Sequence, residues 1–142
     1  MAPDAFWSEQ LLQYQAEMYI KTGNCNKGAE IYYQLWLKDK TKLEWLLQMQ
    51  NCYFSRTWSA LSENEKQRYL FICHLRAVEI LKNTDMPNIL TTKSYLLGRL
   101  KAFENDMLLR EQTSLPMLSP DNKKSTLSIE ALQELIDQLS IN

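Results

Sequence analysis

Glycine and proline are scarce in this sequence: three and four residues respectively in a chain of 142. With so few of the strongest breakers, long helices are free to form, and a turn-rich β fold is disfavoured. Histidine occurs once, at position 74, so a site built from several imidazoles is excluded. Cysteine occurs at positions 25, 52 and 73, an odd set with no C-x-x-C spacing. That pattern excludes a disulfide framework and reads as free thiols in a cytoplasmic or other reducing compartment. Charge of one sign is missing as well: 16 Lys and Arg stand against 17 Asp and Glu, a net charge of −1. Nothing global draws the chain to nucleic acid or to an anionic membrane. No apolar run approaches the ~20 residues of a membrane span. The N-terminus lacks the basic and apolar regions of a signal peptide, so neither feature is expected. Phosphate-binding glycine loops, nucleophile elbows, H-E-x-x-H pairs and EF-hand loops are all absent.

What is present is helical patterning. The best-bounded stretch is SENEKQRYLFICHLRAVEILK, residues 62–82. Ser62 and Glu65 form a capping box, which starts the helix at Glu63. At about 100° per residue, Leu70, Phe71, Cys73, Ala77, Val78 and Leu81 share one broad face. Arg68, Arg76, Glu79 and Lys82 fall opposite, and Ile72 and Leu75 interrupt that polar side. An otherwise solvated side carrying two large aliphatic residues is the pattern of an interface helix.

The remaining helices follow in order. Asp4 caps a helix over 5–21 that Gly23 ends, with Phe6, Trp7, Leu11, Tyr14, Met18 and Tyr19 along one side. The segment TGNCNKG reads as a loop. A helix over 27–39 presents Ala29, Tyr32, Leu35 and Trp36. The charged run KDKTK breaks it, and Thr41 with Glu44 offers a second capping box for a helix over 42–54. Residues 55–61 connect to the central helix, and a turn over 83–90 around Pro87 leaves it. Thr91 or Thr92 caps a helix over 93–111 with Leu96, Leu100, Phe103 and Met107 in line, and Leu97, Leu108 and Leu109 widening the face. Gly98 inside that helix costs about 1 kcal/mol against alanine, which suggests either close helix packing there or nothing more than neutral drift.

Residues 113–127, with two prolines and a charged patch, read as a linker. Ser128 caps a final helix over 129–140 with Leu132, Leu135, Ile136 and Leu139 on one stripe. The expected organisation is therefore an all-α fold, a single compact bundle of five or six helices. Its parts are a helical core over 1–112, a linker over 113–127 and a C-terminal amphipathic helix over 128–142 packed on the same domain.

No constellation carries chemistry. His74 has no second histidine and no carboxylate on its face, so it reads as a buried neutral imidazole rather than a base or ligand. The Glu63/Glu65 and Glu104/Asp106 pairs point to different sides of their helices. No catalytic, cofactor-binding or metal-binding residue is assigned, and the chain is expected to be no enzyme.

Two function classes remain. The favoured one is a non-enzymatic accessory subunit that works by protein–protein interaction or self-association. Its contact residues would be Ile72, Leu75, Leu132, Leu135, Ile136 and Leu139. The alternative is a nucleic-acid-contacting subunit. Residues 27–112 carry thirteen lysines and arginines against ten acidic residues, while the flanking segments each come out at −2. Lys38, Lys40 and Lys42 lie near Trp36 and Trp45, and Arg99 and Lys101 follow on a later helix. Lysines interleaved with aromatics can hold phosphates and stack bases. In size and architecture alone the chain is similar to the small helical subunits of CRISPR effector complexes and to phage-type adaptors, a likeness that assigns no site.

Overall fold

The computed structural model describes residues 3–54, 57–82 and 89–141. The turn expected around Pro87 and the start of the 55–61 link lie largely outside the described residues. Among the described residues there are six α-helices: α1 (Pro3–Lys21), α2 (Cys25–Lys38), α3 (Glu44–Phe54), α4 (Glu63–Lys82), α5 (Ile89–Leu109) and α6 (Ile129–Ser140). A 3₁₀ turn, Trp58–Ala60, precedes α4, and two short strands, β1 (Ser114–Leu118) and β2 (Lys124–Ser128), precede α6. The all-α expectation with its helix number holds. The chain divides into two compact units, Met1–Tyr69 with Ser119–Lys123, and Leu70–Leu118 with Lys124–Asn142. The division falls within α4, and not at the expected linker.

In the first unit α1 packs on α2, and α2 on α3. Gly23 ends α1 with φ +87°, a conformation glycine adopts without a Cβ penalty. The Gly23 amide donates to the Ile20 carbonyl at 3.1 Å and the Asn24 amide to the Tyr19 carbonyl at 2.7 Å. These are the paired bonds of a Schellman motif. Asn24 then opens α2, its side-chain oxygen accepting from the Lys27 amide at 3.2 Å.

Helix α2 therefore begins two residues earlier than expected, and Gly28 lies inside it. Gly28 is no breaker there. A Cβ at this position would meet Ile20 Cγ1 at 2.7 Å and the Ala16 carbonyl oxygen at 3.1 Å. Ala16, Gly28 and Ala29 are buried together where α1 and α2 run close. Tyr32 of α2 stacks on Trp45 of α3, ring centroids 5.8 Å apart.

The expected break between α2 and α3 is present, over Asp39–Leu43. The expected Thr41 capping box is a correction. The Thr41 hydroxyl and amide both donate to the Asp39 carboxylate, and α3 starts at Glu44.

The Ser62–Glu65 capping box forms as read. The Ser62 amide donates to Glu65 Oε1 at 2.9 Å and the Glu65 amide to Ser62 Oγ at 3.2 Å.

In the second unit α6 packs on α5 and on β2. Thr91 and Thr92 lie inside α5, which begins at Ile89, so neither is its cap. The expected linker is a correction: 114–128 form an antiparallel hairpin in which Ser114 pairs with Ser128 and Leu118 with Lys124. Met117, Leu118 and Leu127 are buried.

The Ile129 amide bonds the Thr113 carbonyl, and the Ser119 amide the Lys123 carbonyl. Alternation between those ends makes 115/127 and 117/125 the hydrogen-bonded pairs. Pro116 falls between them, where an N–H would point outward, so the proline takes no bond from the ladder. Ser128 ends β2 and caps α6, accepting from the Ala131 amide at 3.1 Å.

Candidate interaction surface

Most of the residues expected to form an interface are covered by the chain itself, and this is the main correction. Ile72 and Leu132 are fully buried, Leu139 is 2% exposed, and Leu135 and Ile136 are 6% exposed. Leu75 is half-buried. The α6 stripe is taken up by packing on α5 and β2. For α4 the reason lies in how its faces were weighed. Leu70, Cys73 and Ala77 of the expected face are buried, but so are Glu65, Arg68, Tyr69, Ile72, Arg76 and Ile80 beside it, while Phe71, Val78 and Leu81 are half-buried. The buried face is thus centred about 120° from the one that apolar residues alone select. Arg68 and Arg76, read as solvated, are 8% and 7% exposed. Arg68 Nη2 donates to the Asn122 side-chain oxygen in the hairpin turn, so a long stem packs while its head finds a partner. Burial lowers the Arg76 pKa from its ordinary value.

The basic residues are dispersed in role. Lys38 and Lys101 are exposed. Lys40 lies over the Trp36 ring at 5.2 Å, and Arg99 over Tyr95 at 5.3 Å. Lys42 pairs with Glu9 at 2.8 Å, a hydrogen bond that raises its pKa. Trp36 and Trp45 are each 4% exposed. They anchor the core and offer no face on which a base could stack.

Burial perturbs the titratable side chains of Cys52, Cys73, Tyr53 and His74. Burial pushes the Cys52 thiol up to about 12 and the Cys73 thiol further in the same direction, so neither supplies a thiolate near neutrality. The Tyr53 hydroxyl donates to the Asn26 side-chain oxygen at 3.0 Å, and burial raises its pKa. His74 is half-buried, and burial lowers its pKa. Among the described residues no three His, Cys, Asp or Glu side chains come together as metal ligands. No described helix is long and apolar enough to cross a membrane.

The surface that sequence reasoning missed is on α1. Leu11, Tyr14 and Met18 are 59%, 62% and 59% exposed. They belong to the apolar side that the sequence pattern marks on this helix. The opposite side of α1, with Ala16 buried and Leu12 and Ile20 half-buried, packs instead. Beside the open stripe runs a groove of about 510 Å³ between α1 and α2. Tyr14, Gln15, Met18, Tyr19 and Thr22 form one wall, and Lys27, Glu30, Ile31 and Gln34 the other. The signal was present in small residues. Ala16 on one side of α1, with Gly28 and Ala29 on α2, marks the close crossing, and so leaves the larger side chains outside.

Comparison with known protein families, with curated proteins and with solved structures returned no match.

Proposed function

We propose that the chain is a non-enzymatic interaction or assembly subunit that meets its partner through the outer face of α1 and the adjoining wall of α2. One observation carries this reading: three large side chains at i, i+3 and i+7, each about three-fifths open, on a helix whose other side is packed. Contiguous apolar patches larger than a few hundred Å² are rare on monomers, and the largest apolar patch of a monomer is often functional. A single exposed apolar side chain such as Leu47 carries no comparable weight. The nucleic-acid alternative, through Lys38, Lys40, Lys42, Arg99 and Lys101, is weakened by the burial of both tryptophans and by the Glu9–Lys42 pair.

The test is a pull-down of tagged wild type and of Met18→Glu from native lysate, each with and without nuclease. A protein retained by wild type in both arms, and lost by the variant, supports the reading. Retention that disappears with nuclease, or that Met18→Glu leaves unchanged, overturns it. A steep loss of binding between low and physiological salt would mark phosphate contacts instead.

A further inference from the structure

The open stripe of α1 is complementary to itself. Leu11, Tyr14 and Met18 are spaced by three and four residues, the rhythm with which two helices pack along a seam. In the sequence the same rhythm takes in Asp4 and Trp7 before them and Lys21 after. Two copies laid antiparallel, so that facing residue numbers add to 25, set Leu11 opposite Tyr14 and position 7 opposite Met18. The same register brings the acidic position 4 level with Lys21. It also overlays the two helices to within one residue, because Pro3–Lys21 is centred on residue 12. Along the flanks Glu17 comes beside Gln10, and Ser8 beside Gln15, with no like charges meeting. A parallel pair would set Lys21 against Lys21 and position 4 against itself. The α2 wall of the groove carries one charge of each sign, Lys27 and Glu30, which suits a self-complementary partner better than a strongly charged one.

We infer that this face pairs with a second copy of the chain, α1 against α1 in antiparallel orientation. The inference rests on α1 and α2 being the contact surface. Three large side chains and the adjoining wall of α2 make a small surface beside the ~800 Å² per partner of a standard interface, so the dimer forms weakly and reversibly.

Sedimentation velocity of the full chain, from low micromolar to near-millimolar concentration, is the test. The mass should rise from 16.8 kDa towards twice that value. Leu11→Glu and Tyr14→Lys should each remain monomeric throughout. An equimolar mixture of the two variants should recover the dimer, because one contact then joins opposite charges and the other keeps the native Leu–Tyr pair. Both side chains are mostly exposed, and unchanged far-ultraviolet circular dichroism confirms that the variants fold.

A wild type that stays monomeric, a dimer that both variants leave intact, or a mixture that stays monomeric each overturns the inference. If wild type is monomeric yet retains a foreign protein that Tyr14→Lys releases, the second copy is refuted and the contact surface stands. If nothing binds and nothing dimerises, both fall.

Discussion

Helices α1 and α6 both carry an apolar stripe, and the chain treats the two in opposite ways. On α6 the stripe of Leu132, Leu135, Ile136 and Leu139 is buried against α5 and β2. On α1 the stripe of Leu11, Tyr14 and Met18 is open, while a second side, narrower and built on Ala16, does the packing. A clean amphipathic pattern thus signals burial within the chain. A helix apolar on two sides has one side to spare, and the smaller residues show which side is used.

The largest expected effect separates the two stripes directly. Leu132→Ala should cost about 2–5 kcal/mol, since it removes a fully buried side chain and leaves a cavity. Met18→Ala should change stability by less than about 0.5 kcal/mol. Urea unfolding of both variants checks this, and a Met18→Ala loss comparable with that of Leu132→Ala would erase the distinction.

A second pair sharpens the account of α1's packed side. Gly28→Ala drives a Cβ into Ile20 and the Ala16 carbonyl, and overpacking of this kind costs about 1–3 kcal/mol. Gly98 has no atom within 4 Å of the Cβ it lacks, so Gly98→Ala should stabilise α5 by about 1 kcal/mol. The close packing offered as one reading of Gly98 is found at Gly28 instead.

Third, the ends of α1 and α5 can be set side by side. Gln112 donates to the Met107 carbonyl and Glu111 to that of Leu108, the same paired bonds that close α1. Here the left-handed position is Glu111, at φ 57°. Glu111→Gly relieves a strain of about 1 kcal/mol, less the entropy that glycine adds to the unfolded chain. A rise in the thermal midpoint is expected, and no rise would mean that Glu111 is held by contacts worth as much.

The smallest effect is on pH dependence. Burial holds the folded-state His74 pKa below its unfolded value of about 6.5. The unfolded chain therefore binds the proton first as pH drops. The His74 contribution is whole above the unfolded pKa and is lost progressively between that value and the lower folded one. The urea midpoint should fall between about pH 7.5 and about 5.5, and His74→Gln should lessen the fall. An identical profile in the variant would dissociate His74 from it.

The helices were legible because their ends are written in local chemistry: Ser62 with Glu65, Ser128, and Gly23. What escaped depends on tertiary partners. Pro116, Pro120 and a charged patch made 113–127 look like a linker. The hairpin exists because Met117, Leu118 and Leu127 are buried and Pro116 sits where no ladder bond is needed. The α4 face was misjudged in part because Arg68 and Arg76 were counted as solvated, whereas both are buried and Arg68 bonds Asn122. The contact surface was misplaced for a related reason. Leu11, Tyr14 and Met18 resemble core residues until the Ala16–Gly28 approach fixes which way α1 is turned.

Asn24 is both the last residue of one helix terminus and the first of the next, its amide closing α1 and its side chain opening α2. With no spare residue between the two, this corner has no hinge. Swinging α1 and α2 apart as whole helices would strain both caps at once. Whatever seats itself there meets a rigid template, so complex formation should proceed at a rate set by encounter rather than by rearrangement. A single residue inserted after Gly23 should abolish that rigidity while leaving either helix able to form.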